Sequence, residues 1–273
     1  MRSLSARISI ELAKWLQTIS ISWSKYTAYK LNFFLHVIGP SLVFFLIKYN
    51  LWSTIYSTSG KDVIEGYDLN SMLQYQGWIL VVGLFNSFNA MTISEDIRMG
   101  RVTSYLIYPF SFEKFQTASF MAFQSLQLLV VTLVIVSLSV VGIVNVNFFT
   151  TLFLGLGVCL LISYMWFLVQ FLTGIFSFWL EETWVLRVVI QILTQFFAGT
   201  LLPLDLYPAW IQTFLQFTPF PYLGYLPAKI FMGEEVIFTL HDLLIVLFWI
   251  IFFKILVSWF WRRGIRLYTA AGM

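Results

Sequence analysis

The sequence predicts an all-α, polytopic membrane protein, and three observations carry that prediction. Hydrophobic residues fill 59% of the 273 positions and charged residues only 11%, whereas soluble domains carry about a quarter charged residues. The apolar residues gather into runs of roughly twenty or more, the length a helix needs to cross about 30 Å of hydrocarbon. These runs are continuous, while strands of a membrane barrel alternate over about ten residues, so backbone hydrogen bonds must close inside helices. Six spans follow, at about residues 28–52, 73–94, 115–143, 148–178, 184–204 and 238–260, in one membrane domain covering 1–273.

Ahead of the first span, Leu4, Ile8, Leu12, Trp15, Leu16, Ile19 and Trp23 recur at helical spacing, with Arg7, Glu11, Lys14 and Gln17 between them. Residues 1–27 are therefore expected to form an interfacial amphipathic helix in the headgroup layer, because no soluble domain is at hand to take its apolar face. The apolar run that follows starts too late and is too long for a cleavable signal peptide. The second and third spans are separated by a charged loop, Ser94-Glu95-Asp96-Ile97-Arg98-Met99-Gly100-Arg101, which must face water. The third and fourth runs exceed what a perpendicular helix needs, which predicts tilt or an interfacial first turn.

Orientation follows from Lys and Arg, which are retained on the cytoplasmic side. With the N-terminus inside, Arg2, Arg7, Lys14, Lys25, Lys30, Arg98, Arg101, Lys114, Arg187, Arg262, Arg263 and Arg266 all fall on or near that side. Only Lys48, Lys61 and Lys229 fall towards the outside, with Lys254 within the last span. Six spans return the C-terminus inside, so both ends are expected to be cytoplasmic. The formal charge of +3 is spread over several loops; it forms no single basic stripe, and no nucleic-acid partner is indicated.

Catalytic and metal-binding patterns are missing. His36 and His241 have no Asp, Glu or Cys at ligand spacing, and the single cysteine, Cys159, cannot form an intrachain disulfide. No Gly-x-x-x-x-Gly-Lys-[Ser/Thr] occurs, so the chain has no phosphate-cradling loop and ATP-driven work would need another polypeptide. Lys254 within the last span and Lys48 at the end of the first are read as snorkelling side chains or members of ion pairs.

The fifth span carries Arg187, Gln191, Thr194, Gln195 and Ala198 at steps of three or four, a polar stripe on one helical face. Asn86 and Asn89 make a shorter one in the second span. Such stripes serve helix–helix hydrogen bonding or line a hydrated substrate path, and both readings stay open. Between the fifth and sixth spans, residues 199–210 and 218–227 are apolar and aromatic, yet their prolines prevent one continuous helix. Pro208 can open a short helix as its first residue, with Trp210, Ile211, Phe214 and Leu215 on one side. Short helices that dip into the outer leaflet or cap the bundle are expected, since irregular backbone is tolerated where protein buries it.

Several of these segments, taken in order, carry a family likeness. They are Glu95-Asp96-Ile97-Arg98-Met99-Gly100-Arg101 with Tyr108-Pro109-Phe110-Ser111 closing the loop, Phe178-Trp179-Leu180-Glu181-Glu182-Thr183-Trp184, and Gly199 to Trp210 with Pro219-Phe220 and Pro227. Together they resemble the membrane-spanning subunits of ABC exporters of the ABC-2 permease family, particularly a sparsely characterised bacterial branch.

The resemblance implies a non-enzymatic subunit of the bacterial cytoplasmic (inner) membrane that pairs with a second permease, identical or homologous. Two ATP-binding-cassette subunits would dock on it and hold the ATP and Mg2+. Glu95, Asp96, Ile97, Arg98, Met99, Gly100 and Arg101 would then form the ATPase-coupling loop, the charged members pairing across a wet interface and Ile97 and Met99 acting as apolar anchors. The short helices before the last span, with Pro203, Asp205, Tyr207, Pro208, Trp210, Pro219, Pro221 and Pro227, would form an external gate. An amphiphilic cargo (drug, lipid, glycan or peptide) suits the polar stripe. The rival classes are an ion-gradient carrier or channel, for which inverted repeats and paired intramembrane charges are expected, and a membrane-embedded lipid or glycan enzyme, which needs a catalytic constellation.

Overall fold

A computed structural model describes residues 4–28, 30–86, 91–142, 152–233 and 238–268. Within them the chain is all-α, with twelve helices and one small hairpin. In order these are α1 (Leu4–Ala28), α2 (Lys30–Ser59), the antiparallel strands β1 (Val63–Ile64) and β2 (Tyr67–Asp68), α3 (Leu69–Phe85), α4 (Met91–Arg98), α5 (Val102–Ile107) and α6 (Phe112–Val140). Then come α7 (Gly155–Ile175), α8 (Trp184–Phe197), α9 (Ala209–Leu215), α10 (Phe220–Leu223), α11 (Tyr225–Met232) and α12 (Leu240–Leu267).

Local chemistry sets several boundaries. The Asp68 carboxylate accepts from the Ser71 amide (3.0 Å) and starts α3, and the Ser111 hydroxyl takes the same role for Lys114 at the head of α6. Thr239 and Asp242 form a reciprocal capping box on α12. At the other end of α11, Gly233 adopts a φ of +74°, the left-handed turn that stops a helix.

Among the described residues, three stretches are long and apolar enough to cross a membrane: Phe112–Val140, Leu152–Phe178 and Leu240–Leu267. At 1.5 Å per residue each reaches about 40 Å. They correspond to the third, fourth and sixth predicted spans. The first predicted span falls in α2, which carries Pro40 internally, and the second is divided between α3 and α4. The predicted span at 184–204 ends early. Helix α8 has 14 residues, about 21 Å, and stops because Gly199 turns left-handed while the Thr200 hydroxyl (2.9 Å) and Leu201 amide (3.2 Å) both fold back onto the Gln195 carbonyl.

Helix α7 is the hub, contributing to three packed clusters. Trp52, Tyr56, Tyr67, Met72, Tyr75, Trp78 and Phe231 fill the hairpin end against Leu156 and Cys159. Ile93, Ile97, Val102 and Phe112 fill the α4–α5 end against Phe171, Ile175 and Val257. Between them Ile162, Met165 and Trp166 meet α10, α11 and α12. By contrast α12 buries only Val246, Val257 and Gly264, and turns Leu244, Phe248, Ile251 and Ile255 outward. That distribution suits a hydrocarbon surround.

Helix α1 lies lengthwise along the first turns of α6: Glu11 sits between Lys14 and Lys114 (both 3.1 Å), Ser22 meets Ser119 (3.0 Å), and Trp15 stands edge-on to Phe110. Trp15, Ile19 and Trp23 of the apolar stripe are half-buried, while Ser9, Ala13, Gln17, Ser20 and Ser24 face outward. Ile8, Leu12 and Leu16 stay 58–60% exposed on one flank and Ile10 and Ile21 56–69% on the other, apolar edges that fit a helix lying in the headgroup layer.

Candidate functional site

The charged loop folds as two short helices joined at Gly100, whose φ of +77° requires a residue without a Cβ. In α4, Ile93 and Ile97 stand one turn apart and are 0% and 3% exposed. Ile97 was expected to project towards a partner; it instead packs into the chain's own core with Val102 and Phe112, because the i, i+4 pair is the apolar side of α4. The outward apolar groups are Met99, Ile107 and Tyr108, which are 70%, 86% and 63% exposed.

The polar residues of the loop brace it against the rest of the chain. The buried Ser94 hydroxyl pairs with that of Thr183 at 2.8 Å. Arg98 donates to the Glu181 carbonyl (3.0 Å) and lies 3.7 Å from the Glu182 carboxylate, tying the loop to the α7–α8 connection. Arg101 pairs with Asp96 at 3.0 Å, and the Gln116 amide donates to the other Asp96 oxygen at 3.3 Å. Burial pushes the Asp96 carboxyl up, against the pull of Arg101 and Lys25. Glu95, half-buried, makes no ion pair among the described residues.

The polar stripe lies on the outlying α8, which has no buried residue. Gln191 is exposed, and Arg187, Thr194 and Gln195 are half-buried. Thr194 spends its hydroxyl on the Ile190 carbonyl of its own helix (2.8 Å). Packing within this chain therefore does not consume the stripe. Asn86 donates to the Leu223 carbonyl at 2.8 Å, tying α3 to α10, and Asn89 lies outside the described residues.

The proline-rich segment 199–232 is organised around Asp205, in a short turn that follows Pro203. Its carboxylate accepts from Tyr67 of β2 (2.5 Å) and Tyr225 of α11 (2.5 Å), and lies 3.2 Å from the Lys229 ammonium. Lys229 is 6% exposed and sits over the Tyr67 ring at 4.6 Å. Burial alone would raise the Asp205 carboxyl, but the two phenols and the ammonium outweigh it and hold the group below the usual carboxylate range. Tyr225 and Lys229 share a helix face, so their i, i+4 spacing was the one local signal for this network; Tyr67 had none.

Around that hub, Pro208 caps α9 from just outside the helix and is not its first residue, its carbonyl accepting from Ile211 (2.9 Å) and Gln212 (3.2 Å). Trp210 is 72% exposed, Tyr207 donates to the Phe196 carbonyl (3.0 Å), Pro219 and Pro221 flank the start of α10, and Pro227 lies in the first turn of α11. Two glycines let backbones cross. The Tyr225 amide donates to the Ala198 carbonyl at 2.8 Å, and a Cβ on Gly224 would stand 2.5 Å from that oxygen. A Cβ on Gly199 would stand 2.8 Å from the Tyr75 hydroxyl, which donates to the Gly199 carbonyl.

A family model described as ABC-2 family transporter protein matches residues 42–272. The chain belongs to that family. Among curated proteins, none matches it. The matched stretch of this ABC-2 transporter holds the α4–α5 loop, α8 and the Asp205 network, and starts beyond α1. The family consists of membrane permeases that work with ATPase partners, so the chain is a membrane component. Two cations in apolar helices of the ABC-2 component have partners within the fold: Lys254 pairs with Glu113 at the head of α6, and Lys48 donates to the Gln76 side chain and the Thr200 carbonyl. His241 packs edge-on to Phe217 at 6.4 Å.

Proposed function

We propose that the chain is the permease subunit of an ATP-driven exporter in the bacterial inner membrane, with both termini in the cytoplasm. In this reading α2, α3, α6, α7, α8 and α12 make six crossings. α8 reaches about two thirds of the hydrocarbon thickness, and the segment 199–232 caps the outer end of the bundle as an external gate. A second permease, identical or homologous, completes the substrate path, for which Arg187, Gln191, Thr194, Gln195, Asn86 and Asn89 supply polar lining. The cargo class is amphiphilic.

Two ATP-binding-cassette subunits, holding ATP and Mg2+, push on the loop from Glu95 to Arg101. The observation that supports this reading best is the build of that loop: its inner side is anchored by Ile93, Ile97 and the Ser94–Thr183 bond, while Arg98, Met99, Arg101, Ile107 and Tyr108 project outward. A small rigid element with an apolar and cationic outer surface can pass force to α6, α7 and α12, which it contacts through Phe112, Phe171 and Val257. ATP binding shifts the permease only through a difference in loop contacts between nucleotide states.

Charge reversal, Arg98→Glu with Arg101→Glu, tests the reading in vesicles that contain the cognate ATPase. Transport and the cargo-dependent part of ATP hydrolysis should both be lost while the chain still inserts. Retention of coupled transport would refute the assignment.

A further inference from the structure

We infer that the cleft between α1 and α5 binds the phosphate headgroup of an anionic phospholipid. This site goes beyond the coupling role proposed for the loop. The cleft has a volume of about 500 Å³ and is lined on its polar side by Lys14, Gln17, Arg101, Ser104 and Tyr108, with no carboxylate among its lining residues. The two cations are held in place and still have donors to spare. Lys14 donates to Glu11 and to the Pro109 carbonyl, both at 3.1 Å, which leaves one of three ammonium protons. Arg101 uses one nitrogen on Asp96 and is 56% exposed in its side chain, which leaves most of its five N–H groups. The Ser104 and Tyr108 hydroxyls and the Gln17 amide add neutral donors around the same space.

The other wall explains why the phosphate belongs to a lipid. Phe110, Phe115 and Ile21 close the cleft, and Ile21 is 69% exposed beside Gln17 on the open flank of α1. That flank also carries Ile10, 56% exposed, about three turns earlier. With these side chains in the acyl boundary, the cleft sits at headgroup depth. A phosphodiester can then accept from Lys14 and Arg101 while an acyl chain leaves along Ile21. A free phosphate would gain nothing from that apolar wall.

Native mass spectrometry of the full-length chain in neutral detergent tests this, with phosphatidylglycerol, phosphatidylcholine of the same acyl chains, and sn-glycerol 3-phosphate as probes. Wild type should retain one phosphatidylglycerol per chain under activation that strips phosphatidylcholine. Lys14→Gln should weaken retention about fivefold, the effect of one interfacial cation, Lys14→Arg should preserve it, and Ser104→Trp, which fills the cleft from its exposed edge, should abolish it. Should Lys14→Gln fail to fold, Ser104→Trp decides, with an unchanged thermal midpoint as its control. Equal retention of the two lipids, wild-type binding by Ser104→Trp, or displacement by glycerol 3-phosphate as effective as by the lipid would overturn the proposal. Arg98 and Arg101 stay intact throughout, so this test fails or succeeds separately from the coupling test.

Discussion

Replacing Asp205 by Asn is the most direct probe of how the segment 199–232 is held. The substitution keeps the size of the side chain and removes its charge. It weakens three charge-assisted contacts at once, from Tyr67 (2.5 Å), Tyr225 (2.5 Å) and Lys229 (3.2 Å). Hydrogen bonds to a charged group are worth about 1.5–3 kcal/mol each. Members of one network do not add, and the Asp205 side chain keeps 32% exposure against 7% for Lys229. We therefore take about 3 kcal/mol, the lower end of the range for removing one partner of a buried pair. For a chain of this size that is a fall of roughly 6–12 °C in the unfolding midpoint. The assay is thermal unfolding of the detergent-solubilised protein, followed by tryptophan fluorescence. Adding Lys229→Met to Asp205→Asn should recover part of the loss, since a well-packed apolar side chain replaces a buried charge. A midpoint within 1–2 °C of wild type, or a double variant worse than the sum of the singles, would refute the hub.

Further outcomes follow from the same geometry. Because the folded-state Asp205 carboxyl is held below its ordinary value, its contribution is fully present above about pH 4 and is lost as pH falls through the lowered value. The difference between wild-type and Asp205→Asn stabilities should thus shrink on acidification, read from midpoints across pH 3–7. Gly224→Val should cost about 1–3 kcal/mol or more, the price of overpacking against the Ala198 carbonyl, seen as a lowered midpoint and poor yield. Lys254→Met should cost about 1–3 kcal/mol, read as a lowered midpoint, because it leaves the Glu113 carboxylate, 26% exposed, without its cation; adding Glu113→Gln should recover part of the loss. Arg98→Gln with Arg101→Gln, which breaks the pairs with Glu182 and Asp96 without setting like charges against them, should cost no more than about 1 kcal/mol per pair; loss of coupled transport in this variant at a near wild-type midpoint separates uncoupling from unfolding.

How much of this could be read in advance depended on how local the information was. Helices α6, α7 and α12 were legible because an uninterrupted apolar run has few alternatives in a membrane, and the capping residues Ser111 and Thr239 stand where the runs begin. The end of α8 was not legible. Leu201, Leu202 and Leu204 continue the apolar pattern, and only the left-handed turn at Gly199 and the hydrogen bonds onto Gln195 stop the helix. In the loop the charges were visible, but the inward turn of Ile97 depended on pairing it with Ile93, outside the segment that carried the likeness. The Asp205 network was hidden for the opposite reason. Its partner Tyr67 is 138 residues away, and no periodicity links a hairpin to a proline-rich turn. The spacing of Arg187, Gln191, Thr194 and Gln195 is local to the sequence, whereas the outlying position of α8 comes from tertiary packing.

The crossing at Ala198 and Gly224 leaves no slack between the end of α8 and the start of α11. With the two main chains hydrogen-bonded at 2.8 Å and no side chain between them, the end of α8 is pinned to α11, which is itself packed on α7 and α12. The outlying helix is thus moored at that end by backbone alone, so spin labels at the end of α8 and on α11 should keep one separation with and without nucleotide.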